Sequence, residues 1–123
     1  MNAPVEGTVY NFNGSEQVWW VDRGEARPIP SMEVFRAVFG GGEAVSYDNG
    51  PAAGKQVATG SCLVKGVSSD TIYLFDLCDG ISWVLREVPT MRTLYTYNLR
   101  ASIVSVPDEM IKLLPQGPRF PEL

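Results

Sequence analysis

The chain has 123 residues, of which 45% are hydrophobic and 20% charged, with a formal net charge of -4. That is one ordinary folded domain, and its ten scattered Lys and Arg lack the cationic stripe that binding nucleic acid or an anionic membrane surface requires. There is no histidine, which removes the commonest general base, the His-dependent nucleophile pairs and most zinc sites.

In chain order, Met1 to Glu6 has neither the basic nor the apolar segment of a signal peptide, so the chain is expected to be cytosolic or the mature form of an exported protein. No apolar run approaches the ~20 residues of a membrane span. Tyr10 and Phe12 alternate with polar residues, and Asn13-Gly14-Ser15 is a turn before Val18-Trp19-Trp20-Val21. Aromatic and β-branched residues flanking a Gly-containing turn predict a β-hairpin. Pro30-Ser31 offers a helix cap, Met32, Phe35 and Phe39 share a helical face, and Gly40-Gly41-Gly42 ends the run. A short strand follows over Ala44 to Tyr47, then a Gly- and Ala-rich loop over Asn49 to Gln56.

The second half repeats this order. Thr71 to Asp76 answers Thr8 to Asn13, and Ile81-Ser82-Trp83-Val84 answers Val18-Trp19-Trp20-Val21. Arg86 to Met91 answers Arg27 to Met32 after a four-residue excess in the first copy. Ile103-Val104-Ser105 matches Ala44-Val45-Ser46, and Pro115-Gln116-Gly117 matches Ala58-Thr59-Gly60. Over Thr90 to Leu99 the repeat predicts helix while Thr93-Tyr95-Thr96-Tyr97 favours strand; the repeat is followed. Pro107-Asp108-Glu109 then starts a short helix through Leu114. The expected fold is a β-rich α+β domain of two tandem β-hairpin–helix–strand units, about 7–60 and about 70–117, packed with approximate two-fold symmetry. Neither unit alone has enough apolar surface for a stable core.

The order Leu63-Val64-Lys65-Gly66, Ile72 to Asp76, a turn, then Arg86-Glu87-Val88-Pro89-Thr90 resembles a short repeat of bacterial secreted and cell-surface proteins. Tyr10, Arg27, Ile29, Pro30, Ser31, Phe35 and Gly60 match it in the first copy, and Tyr73, Arg86, Val88, Pro89, Thr90, Leu94 and Gly117 in the second. The resemblance covers nearly the whole chain and implies an accessory module for attachment or glycan binding, hence an extracellular or cell-surface setting. By analogy a free-standing pair of repeats is similar in organisation to a small lectin.

Positions alike in both copies read as scaffold: Tyr10/Tyr73, Phe12/Phe75, Trp20/Trp83, Pro30/Pro89 and Met32/Met91. Arg27 and Arg86 fit either an acidic neighbour or a ligand, the structural role being favoured. Trp19 is set against Ser82, and strand alternation turns it away from Trp20. An indole beside Asp22, Arg23 and Glu25 suits a sugar, whose C–H face stacks on the ring while charged groups bind hydroxyls; burial under the loop is the competing reading. Tyr47, Asp48 and Asn49 form a turn that also gathers a ring, a carboxylate and an amide. Tyr95 and Tyr97 make a further candidate surface, and Thr93 to Asn98 an amphipathic strand able to join a homodimer.

Cys62 and Cys78 fit no zinc motif and leave open a single disulfide or two buried thiols. Asp76 and Asp79 fall short of the 6–8 oxygens calcium takes. The sequence thus leads to a non-catalytic, lectin-like carbohydrate-binding protein working without metal or cofactor. A protein-interaction module (protease inhibitor or assembly subunit) comes second, a carboxylate hydrolase last.

Overall fold

The computed structural model describes residues 3–123. It is strand-rich α+β, with two four-stranded sheets of the same layout. In the first unit, strands β1 (Val9–Phe12), β2 (Val18–Asp22) and β3 (Glu25–Ile29) form an antiparallel meander. Helix α1 (Met32–Phe39) then leads to β4 (Val45–Tyr47), which lies parallel to β1. The second unit repeats this with β5 (Cys62–Gly66), β6 (Ile72–Asp76), β7 (Val84–Val88), α2 (Met91–Thr96) and β8 (Val104–Val106). A third helix, α3 (Asp108–Leu113), follows. The sheet orders β3-β2-β1-β4 and β7-β6-β5-β8 correspond strand for strand. Among the described residues no helix is long and apolar enough to cross a membrane.

Both helices begin where the sequence predicts. Ser31 Oγ accepts the Val34 N–H at 3.2 Å, and Thr90 Oγ1 accepts that of Thr93 at 3.0 Å. These caps satisfy donors that the first turn leaves unpaired, worth about 1 kcal/mol each. Gly40 closes α1 with φ 75°, a left-handed conformation that costs glycine little. Of the stretch Thr90 to Leu99, Met91–Thr96 is helical, overriding local strand preference as Leu94 buries itself in the common core.

Strand pairing corrects the alignment of the two copies. Trp19 pairs with Tyr10 and Pro28, while Tyr73 pairs with Val64 and Glu87. Hence Val18-Trp19-Trp20-Val21-Asp22 corresponds to Ile72-Tyr73-Leu74-Phe75-Asp76, and the partner of Trp19 is Tyr73, not Ser82. The partner of Trp20 is Leu74, and Trp83 instead stacks on Phe75 at 4.5 Å. Unit two therefore starts at Cys62, ahead of the expected boundary near residue 70. The length excess also lies in the second copy. Arg23-Gly24 turns β2 into β3 with φ 53° and 75°, the tight turn that matches strand twist, whereas residues 77–83 join β6 to β7.

The segment after each fourth strand returns to the third and lies parallel to it. Gly54 N–H donates to Ala26 O and Val57 N–H to Pro28 O at 2.7 and 2.9 Å; Gly117 N–H donates to Leu85 O and Phe120 N–H to Glu87 O at 2.9 and 3.0 Å. The closing glycine of unit one is thus Gly54, not Gly60.

One core joins the units. Val9, Trp20, Ile29 and Val57 of the first meet Leu63, Leu74, Val88, Leu94 and Phe120 of the second. Trp20 is fully buried, packs within 5.2 Å of Phe39 and 6.2 Å of Phe120 between ring centroids, and donates its indole N–H to Tyr97 O at 3.1 Å. Buried side chains of this size contribute roughly 1.5–3 kcal/mol each.

At the pseudo-two-fold axis sits a four-membered charge cluster. Arg27 grips Asp76 through Nη1 and Nη2 at 2.8 and 2.9 Å, and Arg86 grips Asp22 at 2.7 and 3.0 Å. Cross-contacts of 2.9 Å (Arg27 to Asp22) and 3.2 Å (Arg86 to Asp76) close the ring. Each Nε donates to the returning segment of its own unit, Arg27 to Lys55 O and Arg86 to Pro118 O, at 3.0 and 2.8 Å.

Candidate functional site

The structure separates the nine candidate residues. Trp19 is half-buried on the outward face of the first sheet, edge-on to Phe12 with centroids 6.0 Å apart. Tyr47 joins the same ring cluster, packing edge-on to Tyr10 at 5.9 Å. Asp48 is exposed and Asn49 half-buried beyond it. Arg23 and Glu25 are exposed at the β2–β3 turn, where the Glu6 carboxylate accepts the Arg23 and Gly24 N–H groups at 2.6 and 3.0 Å. Trp19 and Tyr47 therefore come together, with Asp48 beside them in sequence.

Two candidates are interior. Asp22 is 1% exposed and held by both arginines, so it has no hydroxyl-binding role at the surface. Alternation explains this: Asp22 lies two residues from Trp20 and shares its inward face. Tyr97 is 2% exposed, and its hydroxyl donates to Glu6 Oε2 at 2.8 Å. Burial, reinforced by that carboxylate, pushes its pKa well above the tyrosine range. Tyr95 is exposed on α2. Tyr95 lies in α2 and Tyr97 is its C-terminal cap, the one exposed and the other buried, so they do not form the strand surface expected of them.

Asp79 belongs to a turn: its Oδ1 accepts the Ile81 and Ser82 N–H groups, both at 2.8 Å, and those bonds lower its pKa. Cys62 and Cys78 are both free thiols.

The corrected alignment exposes a site that the sequence reading missed. Tyr73, the counterpart of Trp19, lines a cavity of about 320 Å³ with Gly66, Ser68, Ser69, Asp108, Ile111 and Lys112. The β5–β6 turn supplies the serines, and α3 supplies the carboxylate and the ammonium. Asp108 Oδ1 accepts the Ser68 N–H at 3.2 Å. Bonds from the Ser68 side chain and backbone hold this carboxyl below its ordinary pKa, so it is anionic at neutral pH. Gly66 leaves the floor open, because a Cβ there would collide with that same carboxylate. A tyrosine, a carboxylate, a lysine and two serines thus line one concave surface, with Lys112 Nζ donating to Glu109 Oε1 at 3.4 Å and Ser69 Oγ accepting the Thr71 N–H at 3.1 Å. The signal in the sequence was the shared strand ending, Trp20-Val21-Asp22 against Leu74-Phe75-Asp76, which fixes the register that exposes Tyr73. Comparison of the chain with family models, curated proteins and solved structures found no match.

Proposed function

We propose that this chain is a non-catalytic, metal-independent carbohydrate-binding protein of lectin type, acting at the cell surface or outside the cell, with the Tyr73 cavity as its principal site. One observation carries the reading: Tyr73 shares a cavity of ligand size with Asp108, Lys112, Ser68 and Ser69. A sugar offers apolar C–H faces that suit an aromatic platform and hydroxyls that pair with a carboxylate, an ammonium and serine oxygens. The half-buried Trp19, at the same place in the first sheet, with Tyr47 near it, supports a second and shallower sugar contact. The resemblance to repeats of secreted and surface proteins points the same way.

The test is a glycan array on the folded protein, repeated with Tyr73→Ala and Trp19→Ala. Binding by the unmodified chain, lost in Tyr73→Ala and weakened in Trp19→Ala, is the expected result. An array without a hit rejects the reading, and full binding by Tyr73→Ala rejects the site.

A protein-interaction role is the second reading, favoured by the exposure of Val104, Met110 and Leu113 along β8 and α3. Its partner of first choice is a second copy of the chain. It requires a concentration-dependent mass in solution that Leu113→Glu abolishes.

A further inference from the structure

The outward faces of the two sheets are filled in opposite ways. In the first, Tyr10 is fully buried, with Phe12 edge-on at 5.4 Å and Tyr47 at 5.9 Å. Strand pairing sets Tyr10 against Val64, Phe12 against Gly66 and Tyr47 against Val106, since β4 and β8 lie on β1 and β5 in the same register. Three rings in one unit are thus two valines and a glycine in the other. The second unit adds α3 over this face, yet no residue of α3 is buried. The helix roofs the vacated space without filling it.

What remains is a cavity of about 170 Å³. Val64 and Phe75 form its floor, Val106 a wall, and Met110, Ile111 and Leu114 its roof; the Cys62 thiol is its most polar lining group. Val104 and Met110 are about half exposed, so the space opens to solvent, yet its lining offers water no strong polar partner, and an apolar space of about 150 Å³ is large enough to accept a benzene-sized ligand. Unit one displays the shape that completes this face, a six-membered ring standing on β1 against the fourth strand.

We propose that the cavity beneath α3 binds one compact, apolar, ring-containing small molecule, seated where the first unit places its own Tyr10 and Tyr47 rings. The site is distinct from the polar Tyr73 cavity, with Ile111 as the partition between them. The occupant is recognised by size and apolar contact, so a small aromatic hydrocarbon serves as the probe.

The experiment is a methyl-resolved NMR titration of the whole chain with toluene. Saturable shifts confined to Val64, Val104, Val106, Ile111, Leu114 and Met110 are expected, together with a rise in Tm that follows ligand concentration. Val64→Phe and Val106→Phe each supply the missing ring and abolish both effects. Bound toluene also covers Cys62, so alkylation of Cys62 by N-ethylmaleimide slows severalfold relative to Cys78. That readout needs no variant. Non-saturating or scattered shifts, unaltered binding in folded Val64→Phe and Val106→Phe, or equal Cys62 alkylation with and without toluene overturns the proposal. Tyr73→Ala leaves the toluene shifts in place, which separates a failure here from a failure of the carbohydrate reading.

Discussion

Arg27 of the first unit and Asp76 of the second, 49 positions apart, meet in a two-pronged ion pair with both partners at least 98% buried. Arg86 and Asp22 make the reciprocal pair. Removing one member leaves a carboxylate in the interior with half its partners, and such losses cost about 3–5 kcal/mol. Urea unfolding of Arg27→Met and of Arg86→Met is expected to show losses of that size in both. A loss below about 1 kcal/mol, the value of an exposed pair, would place the cluster in solvent.

The Tyr10 hydroxyl is buried without a hydrogen-bond partner among the described residues. Burial of this kind costs about 1–3 kcal/mol and raises the phenol pKa. Gly50 lies so close above it that a Cβ at residue 50 would strike the oxygen. Tyr10→Phe keeps the ring contacts and sheds the cost, so its stability should equal or exceed that of the unmodified chain. Tyr10→Ala should lose about 3–5 kcal/mol by opening a cavity. Destabilisation of Tyr10→Phe by more than about 1 kcal/mol would reveal a hydroxyl with a partner.

Asp108 ties α3 to the β5–β6 turn, and its carboxyl is held below the ordinary value by Ser68. For a lowered pKa the sign is fixed. The contribution is complete above the unfolded value near 4, and it fades as pH falls through the lower folded value. The stability difference between the chain and Asp108→Asn should be flat above about pH 5 and shrink toward zero in more acidic solution. A difference that grows on acidification contradicts the assignment.

The fold was legible where physics acts locally. Ser31 announced the first helix, the second followed only from the repeat and against local strand preference, and the β-rich class followed from aromatic strands between glycine turns. The alignment of the copies was not, because Val18-Trp19-Trp20-Val21 and Ile81-Ser82-Trp83-Val84 look alike while strand order depends on pairing across the chain. The deciding marks were the charges inside apolar strands: Asp22 with Arg27, and Asp76 with Arg86. A buried charge needs a partner, so the two pairs had to coincide. With that register Tyr73 replaces Ser82 opposite Trp19, and the richer cavity moves to the second sheet. Asp22, taken outward for its charge, and Tyr97, taken outward for want of an aromatic counterpart in the other copy, are both held inside by partners on the other unit.

The charge cluster also says how the halves found one another. Each unit carries one guanidinium to give and one carboxylate to receive, so its mating surface is complementary to a duplicate of itself. Two separate units would meet only at sufficient concentration, whereas the 57–62 link makes the encounter intramolecular, and dilution no longer opposes it.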